Sequence, residues 1–205
     1  MPDFAQPLLE ADVDPSPYVQ FDRWFDEAAA AGIRVPEAAA LATATRDGIP
    51  SVRMVLAKGR EETGFLFYSN YDSRKGRELA ANPRAVLLFH WDLVGRQVRI
   101  EGQVGMLSPA ESATYVRSRP RASQLSALAS PQSQVIASRE LLEQRVAELA
   151  AICEGADVPV PENWGGFRLS PAVFEFWQHR EDRLHDRLRY SLQADRSWLL
   201  ERLAP

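Results

Sequence analysis

The chain has a single cysteine in 205 residues, so no disulfide can form within it, and no Cys/His spacing suggests a zinc site or any other metal centre. Cys153 is expected to be a small buried or half-buried residue. Nowhere do about eighteen apolar residues run together, and "MPDFAQPLLEADVDPSP" has no basic region followed by an apolar one. Neither a membrane span nor a secretory leader is therefore expected, and the cytoplasm is the default compartment. The excess of positive charge that nucleic-acid binding requires is also missing: 24 Lys and Arg stand against 28 Asp and Glu, for a net charge of -4 and a pI near 5.5. Any basic site must be local. No glycine-rich dinucleotide fingerprint follows a predicted strand, which removes the usual reason to expect NAD(P)H. There is no internal repeat and no low-complexity linker.

What is present is an ordinary globular composition, 45% apolar and 25% charged, sufficient for a substantial core. Residues 1–17, rich in Pro and Asp, read as a flexible N-terminal segment, and residues 18–205 as a single domain. "PYVQFDRWFDEAAAAGI" carries Val19, Trp24, Phe25 and Ala28 at helical spacing, with Gly32 as the stop. "EAAALATATRDGIPSVRMVLAKG" reads as two arms around an Asp-Gly hairpin turn, although the Ala-rich first arm is compatible with a helix. "GFLFYSN", "RAVLLFHWD" and "RQVRIEGQVGMLS" supply three more strands. Between the first two lies a short helix, "DSRKGRELAANP", capped by Ser73 or Asp72 and ended by Pro83. Two helices follow, the second with an apolar stripe of Leu141, Leu142, Val146, Leu149 and Ile152. "GGFRLSPAVFEFWQHR" and "RLRYSLQADRSWLLERLAP" read as closing strands. The pattern predicts an α+β fold built on an antiparallel sheet or barrel with flanking helices.

Several basic residues lack an obvious partner. Arg53 and Lys58 flank a strand, while Arg74 and Lys75 open a helix, where cations are the wrong sign for the dipole and a nearby anion would resolve the conflict. Tyr115, Arg119 and Ser123 stand four residues apart and would share a face on one continuous helix, but Pro120 argues against continuity. In "EDRLHDRLRY", Arg183, His185, Arg187 and Arg189 fall on alternate residues. On a strand they would form one basic face, either a solvated edge or a surface turned toward an anion. Three such clusters in an acidic chain point to a ligand with more than one phosphate, or to two phosphorylated ligands.

Taken in order, "RMVLAK", "FYSNYDSRKGRELAANPRAVLLFHW", "RQVRIEG", "SRPRASQ", "SPQS", "WGGFRLSP", "EFWQ", "RLHDRLRY" and the terminal "RLAP" resemble the pyridoxine (pyridoxamine) 5'-phosphate oxidases. The resemblance runs from about Val13 to Pro205, and it is specific because many motifs agree in order and spacing. It implies an antiparallel, Greek-key-like split β-barrel that binds FMN, assembled as a homodimer with two flavin sites at the subunit interface. It further implies that Arg53, Met54, Val55, Leu56 and Lys58 line the flavin, with Arg53 on its phosphate and Lys58 between cofactor and substrate. Tyr68, Ser69, Arg74, Lys75 and Gln97 would bind FMN from the same subunit, and Gln132, Ser133, Trp177 and Arg187 would reach the flavin of the partner subunit. Lys58, Tyr115, Arg119 and Ser123 would hold the substrate phosphate, while Arg183 and His185, the expected catalytic pair, would cover the pyridine ring. Arg189 receives no role.

The implied reaction is oxidation of pyridoxine or pyridoxamine 5'-phosphate by FMN, with dioxygen as acceptor and hydrogen peroxide as product. It needs ring stacking and orientation more than an acid-base triad. Two departures from the family pattern stand out: no Arg precedes Arg23 in the N-terminal arm, and Val35 stands before Pro36 where many relatives carry an acid. Two other readings remain, a flavin oxidase of the same fold acting on another metabolite, as in phenazine biosynthesis, and a non-catalytic flavin-binding protein. Tyr115, Arg119 and Ser123 argue against the former, because a substrate without phosphate does not need them, and Arg183 with His185 against the latter.

Overall fold

The computed structural model describes residues 7–61 and 63–205. Residues 1–6, the first part of the segment expected to be flexible, lie outside the described residues. Residues 7–16 are tied down. The Leu8 N–H donates to Asp186 Oδ2 at 3.1 Å, Arg202 donates to the Leu8 carbonyl at 2.7 Å, and the Tyr190 hydroxyl donates to the Asp14 carbonyl at 2.7 Å.

Helix α1 (Pro17–Ala30) starts with Pro at its first turn, where a missing N–H leaves nothing unsatisfied. Its buried stripe is Phe21, Trp24 and Ala28; Val19, expected on that stripe, is 51% exposed. Strands β1 (Ala38–Ala44) and β2 (Pro50–Glu61) form the expected hairpin, with Gly48 at φ +83 in the turn. Only a residue tolerant of positive φ fits there. The Ala-rich arm is a strand because it alternates: Ala39, Leu41 and Thr43 face inward, while Ala38, Ala40 and Ala42 present a smooth outer face.

Strands β3 (Gly64–Asn70), β4 (Arg84–Trp91), β5 (Arg96–Met106), β6 (Trp164–Gln178), β7 (Asp186–Leu192) and β8 (Trp198–Arg202) complete an antiparallel sheet in the order β3-β2-β1-β4-β5-β6-β7-β8. A further pairing of β3 with β6, from Phe65↔Leu169 to Asn70↔Trp164, closes the first six of these into a barrel. β4 returns to lie beside β1 after the β1–β2–β3 meander, which is Greek-key connectivity. The interior is filled by Leu41, Phe65, Phe67, Leu87, Phe89, Ile100, Phe174 and Phe176. Helix α1 plugs one end, with Phe21 4.9 Å from both Phe65 and Phe89 and Trp24 5.1 Å from Phe176 between ring centres. Edge-on aromatic contacts of this kind add to the area buried.

Helix α2 (Arg74–Ala81) is capped by Ser73, whose Oγ accepts the Gly76 N–H at 3.3 Å. A side chain at Gly76 would collide with the Tyr71 carbonyl, so glycine lets the helix start pack directly on the preceding turn. Three helices lie between β5 and β6: α3 (Pro109–Ser118), α4 (Arg121–Ala129) and α5 (Arg139–Ile152). The chain breaks between α3 and α4, where Arg119 is extended (φ -75, ψ 152) ahead of Pro120, so Tyr115, Arg119 and Ser123 do not ride on one helix. Helix α5 packs mainly on α4, through Val146 and Leu149 against Leu125, Cys153 and Val158. Leu141 (54%) and Ile152 (78%) of its expected stripe face outward, because a single neighbouring helix covers only a narrow face.

The alternation in residues 181–190 is not one strand. β7 begins only at Asp186, and Arg183 sits in a turn at φ +64. The Arg183 N–H reaches the Arg180 carbonyl at 3.2 Å, Asp182 Oδ1 takes the Leu184 N–H at 2.9 Å, and His185 Nδ1 takes the Arg180 N–H at 3.1 Å. These local bonds compete with ladder bonds and win. The proposed single basic face is therefore corrected: Arg183 and His185 occupy the turn, and only Arg187 and Arg189 share the strand face. Among the described residues, no helix is long and apolar enough to cross a membrane.

Replacing Gly76 by Ala should destabilise the protein by roughly 1–3 kcal/mol, because backbone must shift to admit the methyl group. Gly105→Ala, facing open space, should change stability by no more than about 0.5 kcal/mol. Urea unfolding of the two variants checks this; equal effects would show that the α2 seat is not tight.

Candidate active site

The densest group of basic side chains lies where β2, β3 and the start of α2 meet. A cavity of about 490 Å³ is lined there by Arg53, Met54, Val55, Tyr68, Ser69, Arg74 and Lys75, and by Gln132 and Ser133 from the segment after α4. Lys75 is 8% exposed, and its ammonium donates to Ser69 Oγ (2.8 Å) and Gln132 Oε1 (3.1 Å). Burial first, and the neighbouring Arg53 charge second, lower its pKa from 10.5 to about 8. The free N–H groups of the α2 N-terminus add partial positive charge on the same side. Three cations, the hydroxyls of Tyr68, Ser69 and Ser133, and a helix start form a donor set suited to a phosphate group, and the apolar β2 side chains beside it suit a flat ring.

Arg53 is locked from behind. Its Nη1 donates to Thr43 Oγ1 (2.5 Å) and the Leu41 carbonyl (3.1 Å), and its Nη2 to Ser51 Oγ and to Glu78 Oε2 (3.3 Å). Burial would raise the Glu78 pKa, but hydrogen bonds from Ser51, Thr43, Arg74 and Arg53 outweigh it and hold the carboxyl at about 2.

A second cavity, of about 400 Å³, adjoins the first and shares Tyr68, Ser69 and Gln132 with it. The Tyr68 and Tyr115 rings stack at 3.5 Å and 12°, with Trp164 6.2 Å from each. Arg119 lies 4.7 Å over the Trp164 ring and lines the cavity with Ser123. Its Nη1 is buried without a hydrogen-bond partner among the described residues. A guanidinium beside hydroxyls in a polar cavity suits an anionic ligand.

Other expected site residues stand elsewhere. Lys58 does not join Tyr115, Arg119 and Ser123 within the chain; it pairs with Glu37 at 2.9 Å and borders an aromatic cavity of about 300 Å³. Met54 (65%) and Leu56 (42%) project outward from β2 beside Val52 (67%). Gln97, Trp177 and Arg187 form one row across β5, β6 and β7, at the end of β6 away from the residues that pair with β3. The His185 ring is 4.7 Å from Trp177 and 5.2 Å from His179. Arg187 is bound to Glu175 (2.9 Å) and the Ala204 carbonyl (2.8 Å), and Arg189 to Glu201 (2.8 Å). Gln132 and Ser133, expected to serve the partner subunit, border the cradle of their own chain. Ser133 and Arg183 are two of the three non-glycine residues at positive φ among the described residues, a strain that concentrates at functional sites. Glu78, Thr43, Ser51 and Trp164 were not anticipated; for Glu78 the available signal was its i,i+4 spacing from Arg74.

Comparison with known proteins gives the family. Residues 25–153 match the family model described as pyridoxamine 5'-phosphate oxidase, and residues 164–205 match that of the pyridoxine 5'-phosphate oxidase C-terminal dimerisation region. The chain belongs to the pyridoxamine 5'-phosphate oxidase family. Curated proteins named pyridoxine/pyridoxamine 5'-phosphate oxidase include one from a Nostoc species, 52% identical over 97% of this chain and 92% of its own length. Another, from Rubrobacter xylanophilus, is 54% identical over 97% and 91%. Among solved structures, PhzG from Burkholderia lata in complex with tetrahydrophenazine-1-carboxylic acid superposes with a TM-score of 0.90 at 36% identity, covering 97% of this chain and 98% of that one. An FMN-binding protein from Nostoc punctiforme shares the fold, with a TM-score of 0.73 at 17% identity over 93% and 98%.

The lowered Lys75 pKa predicts a pH signature. Between about pH 8 and 10.5 the unfolded chain still binds a proton that folded Lys75 has released, so this group makes stability rise with pH across that window. Lys75→Met should abolish that rise in urea titrations of the ligand-free protein. An identical pH profile in the variant would show that Lys75 is not desolvated as described.

Proposed function

We propose that the protein is an FMN-dependent oxidase that converts pyridoxine or pyridoxamine 5'-phosphate to pyridoxal 5'-phosphate, reducing dioxygen to hydrogen peroxide. The observation that carries this reading is the pair of adjoining anion cradles, one around Arg53, Arg74 and Lys75 and one around Arg119 with its unpartnered Nη1. Two phosphorylated ligands would fill both. The names of the relatives, at 52–54% identity, support it. Residues 18–205 act as one domain in this reading, working in the cytoplasm.

In the first cradle Arg53, Arg74, Lys75, Ser69 and the α2 N-terminus would hold the FMN phosphate, with Tyr68, Gln132 and Ser133 at its border and Met54, Val55 and Leu56 beside the ring. In the second, Tyr115, Arg119 and Ser123 would hold the substrate phosphate. Gln97, Trp177 and Arg187 lie on β5 to β7, with Arg183 and His185 in the turn before β7, and Lys58 stands beyond Leu56 on β2 of the same chain. A homodimer that sets this wall against the partner's cradles would complete two sites. The exposed Val52, Met54 and Leu56 and the smooth Ala38, Ala40 and Ala42 suit such a contact.

When bound, FMN supplies the acceptor for the hydride equivalent leaving C4' of the substrate. The chain's own residues orient and polarise. Arg183, permanently charged, would lie over the substrate ring and fix C4' against the flavin. His185 has Nδ1 occupied by the Arg180 N–H, so in its neutral form the proton is on Nε2, where it can donate to a substrate oxygen or nitrogen. The likeness to PhzG keeps a substrate carboxylate in view as a second reading; Tyr115, Arg119 and Ser123 together favour the bulkier phosphate.

Anaerobic mixing of the FMN-loaded protein with pyridoxine 5'-phosphate should bleach the flavin, and unphosphorylated pyridoxine should do so far less. A flavin that stays oxidised would overturn the reading. Arg119→Ala should raise KM for the phosphorylated substrate by roughly ten- to a hundredfold with flavin retained, the loss of about 1.5–3 kcal/mol for a charge-assisted contact. Flavin loss at unchanged KM would instead place Arg119 at the cofactor.

A further inference from the structure

Behind the first cradle, and apart from the residues that would touch a ligand, lies one buried carboxylate that the reading above leaves without a role. Glu78 is 5% exposed. Its Oε1 accepts Arg74 Nε at 2.9 Å; its Oε2 accepts Ser51 Oγ and Thr43 Oγ1 at 2.5 Å each and Arg53 Nη2 at 3.3 Å. The donor and acceptor roles close without conflict. Arg53 donates to both hydroxyls, both hydroxyls donate onward to Glu78, and Arg74 donates from the other side. Strands β1 and β2 and helix α2 are thereby joined through one anion.

We propose that Glu78 is the positioning residue of the cradle: it fixes Arg53 and Arg74 so that the site selects a phosphorylated flavin over its unphosphorylated form. The proposal rests on the FMN reading above. Arg74 is held only at Nε among its described bonds, with its side chain 55% exposed, so both Nη groups remain for a ligand at the cavity rim. Without Glu78 that long side chain has no anchor and would have to be ordered at the moment of binding. Arg53, Arg74 and Lys75 would also face one another with no fixed counter-charge. Mutual repulsion would then drive the exposed Arg74 toward solvent and favour loss of the Lys75 proton, so the cradle would lose two of its three cations for a dianion. These losses outweigh the gain from deleting one negative charge that lies behind the arginines rather than in the cavity.

A carboxylate that served the fold alone would, on replacement, weaken every flavin alike. Binding of FMN and of riboflavin, each followed by quenching of flavin fluorescence on titration with apoprotein, separates the two roles. In Glu78→Gln, FMN affinity should fall about tenfold or more while riboflavin affinity stays within about twofold, because only the phosphate contact depends on the preorganised arginines. Thr43→Val keeps Glu78 and both arginines and removes one hydroxyl of the network; FMN should weaken about threefold with riboflavin unchanged. Should Glu78→Gln fail to fold, Thr43→Val decides. Equal weakening of both flavins, or an unchanged preference for FMN, would overturn the role of Glu78 while leaving the cofactor reading intact. A wild-type protein that binds FMN no better than riboflavin would overturn both.

Discussion

Closure of the barrel by β3 on β6 is the constraint from which the rest follows. Once the sheet meets itself, every inward position must be filled by side chains, and here Phe, Leu and Ile fill them. A charged ligand-binding group is costly deep in such an interior, so the polar residues of the site are confined to the outer wall, to the turns, and to the seam where Thr43, Ser51 and Arg53, on the inner face of β1 and β2, meet α2. The outer wall carries its own order. Arg99, Glu175, Arg189 and Glu201 stand opposite one another on successive strands, with Glu175 buried between Arg99 (2.5 Å) and Arg187 (2.9 Å).

The seam between α2 and β2 shows how a cluster of like charges is kept together before any ligand arrives. Ser73 caps the helix, Glu78 one turn later neutralises two arginines, and Ser69 with Gln132 satisfies the buried Lys75 ammonium. The second cavity is built differently, from stacked aromatic planes with one guanidinium over Trp164. A flat wall with an orphaned donor at its edge suits a planar ring carrying a phosphate.

Much of this was legible wherever a residue type has a single local meaning. Asp47-Gly48 demanded a tight turn, Ser73 a helix start, and Pro120 the end of α3; each is where the pattern put it, whereas α4 after it was not expected. The cations of the cradle were legible as wrong-sign charges at a helix start. The failures came where periodicity was read without its competitors. Alternation in residues 181–190 suggested a strand, but Asp182 and His185 spend their acceptors on the local backbone and hold a turn. The outward side chains of α5 and the inward network of Glu78 depend on which element lies across the way, and no local pattern encodes that. Lys58 could not be placed because its partner Glu37 lies 21 residues away, in the turn before β1.

The central claim is that the turn before β7 faces the substrate while the wall beside it faces the flavin. Arg183 and Arg187 are four residues apart, yet one is exposed in a strained turn and the other is braced by Glu175 on the strand. Stopped-flow reduction of FMN by pyridoxine 5'-phosphate, with Arg183→Leu and Arg187→Leu each saturated with FMN, separates them. Arg183→Leu should slow flavin reduction roughly a hundredfold, about 3 kcal/mol of transition-state stabilisation, whereas Arg187→Leu should require more FMN for saturation and then reduce it at close to the wild-type rate. Reduction at the wild-type rate in Arg183→Leu would contradict the account.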